Sequence, residues 1–250
     1  MKPVPATPSR AGRSPAALGL LAVVAVALFA GLLALGSWQV HRLAWKLDLI
    51  ARVDARVHAP PAAAPDRAQW PGINAENDEY RHVALAGRWL PGAGTLVQAV
   101  TEKGPGFWVL APLQTADGDI VLVNRGFVPA GQREAARQPP PGPVAVTGLL
   151  RLGEPGGGFL RRNDAAADRW YSRDVAAIAA ARGLPAAGVA PYFVDADAGT
   201  DPEAWPSGGL TVVRFHNSHL VYAITWYTLA LMVLLAAALV ARHEWRLRRS

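Results

Sequence analysis

The sequence predicts a membrane protein with two transmembrane helices, one N-terminal and one C-terminal. They flank a mainly antiparallel β extracytoplasmic domain carrying one or two short helices. Three observations predict it. No Asp, Glu, Lys or Arg occurs from Ser14 to His41, and none from Phe215 to Ala241. The whole formal charge of +6 comes from the two ends, because residues 41–217 hold equal numbers of acidic and basic side chains. Between the apolar stretches, hydrophobic residues recur with period two, the mark of half-buried strands.

Each apolar stretch exceeds the roughly 20 residues needed to cross a hydrocarbon core about 30 Å thick. Lys2, Arg10 and Arg13 precede the first; Arg242, Arg246, Arg248 and Arg249 follow the second, beside the single acid Glu244. Basic residues are retained on the cytoplasmic side. The boundaries expected are a cytoplasmic tail 1–13, a first span 14–40, an exported domain 41–218, a second span 219–241 and a tail 242–250. The run Ala16–Leu35 is longer than the roughly 7–15 apolar residues of a signal peptide, which favours an uncleaved anchor. Basic residues beside a membrane suit anionic lipid, so the basic balance does not point to nucleic acid. With no cysteine, disulfides, thiol chemistry and c-type haem attachment are excluded.

The first helix is expected to run on, since Trp38, His41, Arg42 and Trp45 keep helical spacing, until Ala59–Pro65 breaks it. Strands follow at Val83–Trp89, Thr95–Val100, Phe107–Leu113, Ile120–Phe127, Val144–Leu152, Tyr192–Asp195 and Leu210–Phe215. Asp117-Gly118 marks a hairpin. Gln132–Arg137 and Ser172–Arg182 read as short helices, the second with a serine N-cap and Gly183 as its stop. Gly153–Gly158 reads as a surface turn, and Arg161, Arg162 and Asn163 as solvated loop residues.

No Ser elbow, H-E-x-x-H, Walker loop or carboxylate cluster is present, so an enzyme is not expected. The chemistry-bearing residues gather at the outer borders of the spans, around Ser37–Arg42 and His216–Tyr227. On a helix His219, Tyr222, Ala223 and Trp226 share one face. An imidazole beside aromatics and a small residue suits a planar metalloporphyrin whose iron takes an axial His. Gln39, Arg42 and Lys46 form a stripe able to meet propionates. The same residues also suit a plainer reading: Trp and Tyr are ordinary interface anchors, and Asn217 or Ser218 an N-cap.

At these residues the chain resembles the Surfeit locus protein 1 family, assembly factors for haem–copper cytochrome c oxidase. The motifs are Leu35-Gly-Ser-Trp-Gln-Val-His-Arg42 with Trp45-Lys46; Val121-Leu-Val-Asn-Arg-Gly-Phe-Val-Pro129; Gly148-Leu-Leu-Arg151 with Glu154-Pro155; Trp170-Tyr171 with Arg173-Asp174; and Asn217-Ser-His-Leu-Val-Tyr-Ala-Ile-Thr-Trp-Tyr227. The resemblance implies a haem a chaperone that aids delivery to oxidase subunit I, with partners extending to the haem a synthesis machinery. The alternative is a scaffold that stabilises subunit I and never touches haem. His219 is implied as the haem-iron ligand; Trp38, Gln39, Arg42, Asn217, Tyr222 and Trp226 match motif positions around it. His216 stands where relatives often carry Arg, and His41 at a variable position. The expected location is a bacterial cytoplasmic membrane, crossed twice with both termini inside. A mitochondrial inner membrane is less favoured, because three basic residues are few for a transit peptide.

Overall fold

The structure, a computed structural model, describes residues 13–213 and 215–249. Lys2 and Arg10 of the expected cytoplasmic tail lie outside them. Contacts divide the chain into a β-rich unit, Ala51–Arg214, and a helical unit formed by the segments before and after it.

The helical unit holds most of α1 (Pro15–Val57) and all of α4 (His219–Leu247). Both are long and apolar enough to cross a membrane. Leu20, Val23 and Val26 on α1 and Leu231, Leu235 and Leu239 on α4 stand exposed. A soluble protein would bury such side chains; their exposure suits association with a membrane. The predicted continuation of the first helix is present. At 1.5 Å per residue α1 is about 65 Å long, twice a hydrocarbon core, and it stops just before Ala59-Pro60. Its last turns belong to the β-rich unit, where Val53 is buried and Arg56 donates to the carbonyl of Glu76 (2.5 Å).

The β-rich unit is built on β1 (Ala62–Ala63), β2 (His82–Trp89), β3 (Thr95–Thr101), β4 (Gly104–Thr115), β5 (Ile120–Pro129), β6 (Pro143–Leu152) and β9 (Val189–Ala196), with a small hairpin β7 (Gly157–Gly158) and β8 (Arg161–Arg162). The sheet order is β1-β2-β6-β9-β5-β4-β3. It curls back on itself where β2 pairs with β4 at Gly87–Trp89 and Leu113–Thr115, making a partial barrel. Gly87 permits that closure: a Cβ there would meet the Gln114 carbonyl oxygen at 2.1 Å. Most pairings are antiparallel as predicted, but β9 joins β5, and β1 joins β2, in parallel.

The two faces of β5 explain its nearly unbroken burial. Val121 and Val123 face one core with Val83, Leu85, Leu113, Leu150 and Tyr192. Ile120 and Leu122 face another with Leu110, Phe193 and Trp170, closed by α3 (Val175–Ala181). Each such side chain contributes about 1.5–3 kcal/mol by leaving water. A buried phenol must keep a partner, and Tyr192 donates to the Pro65 carbonyl (2.8 Å); burial pushes its pKa up.

Two sequence expectations are corrected. The segment Leu210–Phe215 forms no strand at its described residues. It lacks a ladder partner, and Thr211 is instead tied by its hydroxyl to Asp195 (2.9 Å). The cap of α3 is Asp174, whose carboxylate accepts from the Ala177 amide (3.1 Å), while the Ser172 hydroxyl donates to the Glu154 carbonyl (2.7 Å). The other short helix, α2 (Arg133–Arg137), lies where expected.

Candidate functional site

An apolar helix that carries polar side chains must satisfy them, and in the helical unit they satisfy one another across the pair. His219 opens α4, and its Nδ1 lies 2.8 Å from the Gln39 side-chain oxygen of α1. An amide oxygen only accepts, so the imidazole donates from Nδ1. In the neutral ring that arrangement leaves the lone pair on Nε2. Gln39 is buried at 9% exposure despite its polarity, because its acceptor is spent on this bond. Below it, the hydroxyls of Ser37 and Tyr227 meet at 3.2 Å. The Asn217 side-chain oxygen accepts the His219 amide (3.3 Å), holding the first turn of α4, while Ser218 makes no side-chain cap bond.

The structure therefore brings Gln39, Asn217 and His219 together. Among the described residues, the others of the sequence-derived set make no side-chain hydrogen bond to these three. Trp38 and Tyr222 are exposed, and Trp226 is half-buried. Ala223 and Ala230 are buried, so the stripe running down from His219 turns inward, and small residues there let the helices approach. Arg42 stacks over Trp45 (4.5 Å) and Lys46 over Phe215 (4.8 Å), so the predicted stripe is divided: Gln39 faces the imidazole and the two cations face aromatic rings. His41 is exposed and bonded to the Ser37 carbonyl (2.8 Å); His216 is exposed.

A histidine that ligates iron commonly offers its other ring nitrogen to an acceptor that fixes tautomer and orientation. The His219–Gln39 pair has that form. No group of three or more His, Asp or Glu suited to a bare metal ion occurs among the described residues. A metalloporphyrin brings four nitrogens and asks one axial ligand of the protein, which a single imidazole meets.

The β-rich unit contains a second polar cluster that sequence reasoning missed. Asp195, at 3% exposure, accepts from Asn124 (2.8 Å), Arg151 (3.2 Å), Arg173 (3.2 Å) and Thr211 (2.9 Å). Glu79 also binds Arg151 (2.7 Å), and Glu154 binds Arg173 (2.6 Å). Burial pushes the Glu154 carboxyl up, but its bonds to Arg173 outweigh that and hold it below the usual range. Both guanidiniums stack on the Phe193 ring. Every charge in the cluster has a partner, which marks it as an internal brace.

The SURF1 family matches residues 26–231. The chain belongs to the SURF1 family. A SURF1-like protein of Monosiga brevicollis is 35% identical over 217 residues, covering 80% of this chain and 79% of that protein. Surfeit locus protein 1 of Rattus norvegicus is 35% identical over 216 residues (78% and 67%), and that of Homo sapiens 34% over 218 residues (78% and 69%). The SURF1 match spans α1 from residue 26, the whole β-rich unit and α4 up to residue 231, so both the His219–Gln39 pair and the Asp195 cluster fall inside it.

Proposed function

We propose that this chain is a non-enzymatic assembly factor for haem–copper cytochrome c oxidase, binding haem a and aiding its delivery to oxidase subunit I. Both helices anchor it in a bacterial cytoplasmic membrane, with the ends inside and the β-rich unit exported. The observation that carries the haem reading is the His219–Gln39 bond. When bound, haem a would supply an iron able to take a nitrogen ligand from the protein. The chain supplies an imidazole whose Nδ1 is held by Gln39, so that Nε2 is the nitrogen turned toward a metal. Asn217 steadies the turn that carries the ring. Four arginines after the second apolar stretch support the orientation.

The test is the optical spectrum of detergent-purified chain made alongside haem a synthesis. His219→Ala accumulates in the membrane but loses the co-purifying haem band. Gln39→Leu binds about 10–100-fold more weakly, the usual cost of removing a ligand's orienting partner. His41→Ala and His216→Ala keep the band. A full spectrum in His219→Ala overturns the ligand assignment. A wild-type chain that never carries haem favours a scaffold for subunit I.

A further inference from the structure

The small hairpin β7–β8 presents the two most exposed large apolar side chains of the described residues. Phe159 and Leu160 form its two-residue tip and are 92% and 89% exposed. Val100, on the neighbouring edge strand β3, is 84% exposed and lines the same shallow surface with Phe159, Arg161 and Tyr171. Such side chains scattered singly are ordinary, but a projecting cluster of them is a contact surface.

The hairpin is braced. Gly157 allows its strands to cross closely, since a Cβ there would meet the Arg161 carbonyl oxygen at 2.3 Å. The Asn163 side-chain oxygen accepts from the amides of Tyr171 (2.8 Å) and Ser172 (3.2 Å), and Asp174 accepts from the Gly156 amide (2.9 Å). Leu160 sits at φ 57°, a left-handed conformation that a leucine rarely takes. The fold thus holds two apolar side chains out in water on a stiff support.

Directly behind the tip come Arg161 and Arg162, both exposed. Arg161 is aimed by a bond to the Gln98 side chain (3.2 Å) and by stacking on Tyr171 (5.4 Å). The acids that flank the hairpin are engaged elsewhere: Glu154 with Arg173, Asp164 with Arg169, and Asp174 with backbone amides. An apolar tip, a cationic collar and an aromatic at its base repeat the order of layers in a lipid interface: acyl chains, phosphates, then the polar boundary.

We propose that the β7–β8 hairpin is a membrane-contacting finger, with Phe159 and Leu160 entering the acyl region of an anionic phospholipid surface and Arg161 and Arg162 holding its phosphates. This finger does not depend on the haem reading, and it gives the β-rich unit a reversible membrane attachment of its own.

The native chain has no cysteine, so single variants can be labelled without background. Phe159→Cys and Leu160→Cys, with Asp117→Cys at the exposed β4–β5 turn for comparison, are spin-labelled in the full-length chain. The labelled chain is reconstituted into vesicles of phosphatidylglycerol and phosphatidylcholine. Collision with oxygen and with a water-soluble nickel complex then reports depth. Labels at 159 and 160 should favour oxygen, while 117 favours nickel. Changing both arginines to Glu, or using phosphatidylcholine alone, should return the 159 and 160 labels to water. Nickel-favouring labels at 159 and 160 in anionic vesicles overturn the proposal. So does shielding that appears only once purified oxidase is added, which would make the finger a protein-docking surface.

Discussion

Replacing Asp195 with Ala tests whether the buried cluster is the brace of the β-rich unit. The carboxylate serves four donors: Asn124, Arg151, Arg173 and Thr211. Removing one member of a buried charged pair costs about 3–5 kcal/mol, because the remaining charge stays in low dielectric. Arg151 keeps Glu79 and Arg173 keeps Glu154, so neither cation is abandoned. That argues for the lower end, about 3 kcal/mol. Domains of this size lose about 2–4 °C of melting temperature per kcal/mol, so thermal unfolding of the purified full chain should fall by roughly 6–12 °C. Asp195→Asn, which retains one acceptor oxygen, should fall between. A melting temperature within about 2 °C of wild type for Asp195→Ala would refute the reasoning, since Glu79 and Glu154 would then suffice to hold both arginines.

Two further predictions concern the same unit. His82 bonds the Ala59 carbonyl (2.8 Å) and Asp197 (2.8 Å). Burial pulls its pKa down, but the Asp197 bond and the carbonyl outweigh that and raise it above 6.5. Its contribution to stability is therefore complete below about pH 6.5 and fades as pH rises through the raised value. The gap in melting temperature between wild type and His82→Gln should narrow from about pH 5.5 to about 8.5, and a constant gap would contradict the assignment. Arg125 donates to the Ala136 carbonyl (2.9 Å) and lies over Trp89 (5.7 Å). Arg125→Ala should cost about 1–3 kcal/mol and lower abundance in the membrane; unchanged stability with failed oxidase assembly would instead place Arg125 at a binding surface.

What could be read in advance was whatever depends on neighbours in sequence. Local patterns located six of the seven strands expected: alternation gave Val83–Trp89 and Val144–Leu152, while β5, buried on both faces, was framed by its turn. Asp117-Gly118 gave its hairpin, and Gly118 takes φ 83°. Leu210–Phe215 carries the same local signal yet forms no strand at its described residues, since a strand exists only where another offers a ladder. Serine 172 and Asp174 are both good caps; which one serves was decided by Glu154, whose carbonyl takes the serine hydroxyl. The parallel joining of β9 to β5 was not legible either, because pairing across 70 residues leaves no local trace.

The five motifs that carry the resemblance look independent along the chain, but the fold gathers them into two clusters. The second, third and fourth supply Asn124, Arg151, Glu154 and Arg173, and all of these meet around Asp195 or bind a residue that does. The first and fifth supply Gln39 and His219, which meet each other. Their chemistry differs in kind. The Asp195 cluster pairs every charge, and a saturated network has no valence left for a ligand; it specifies the shape of the β-rich unit. The Gln39–His219 pair is unsaturated, because among the described residues one ring nitrogen is bonded and the other is not. The motifs alone cannot separate these roles, since a bracing residue and a binding residue read alike in one sequence. Counting donors against acceptors separates them, and by that count the place to look for a ligand is the N-terminal start of α4.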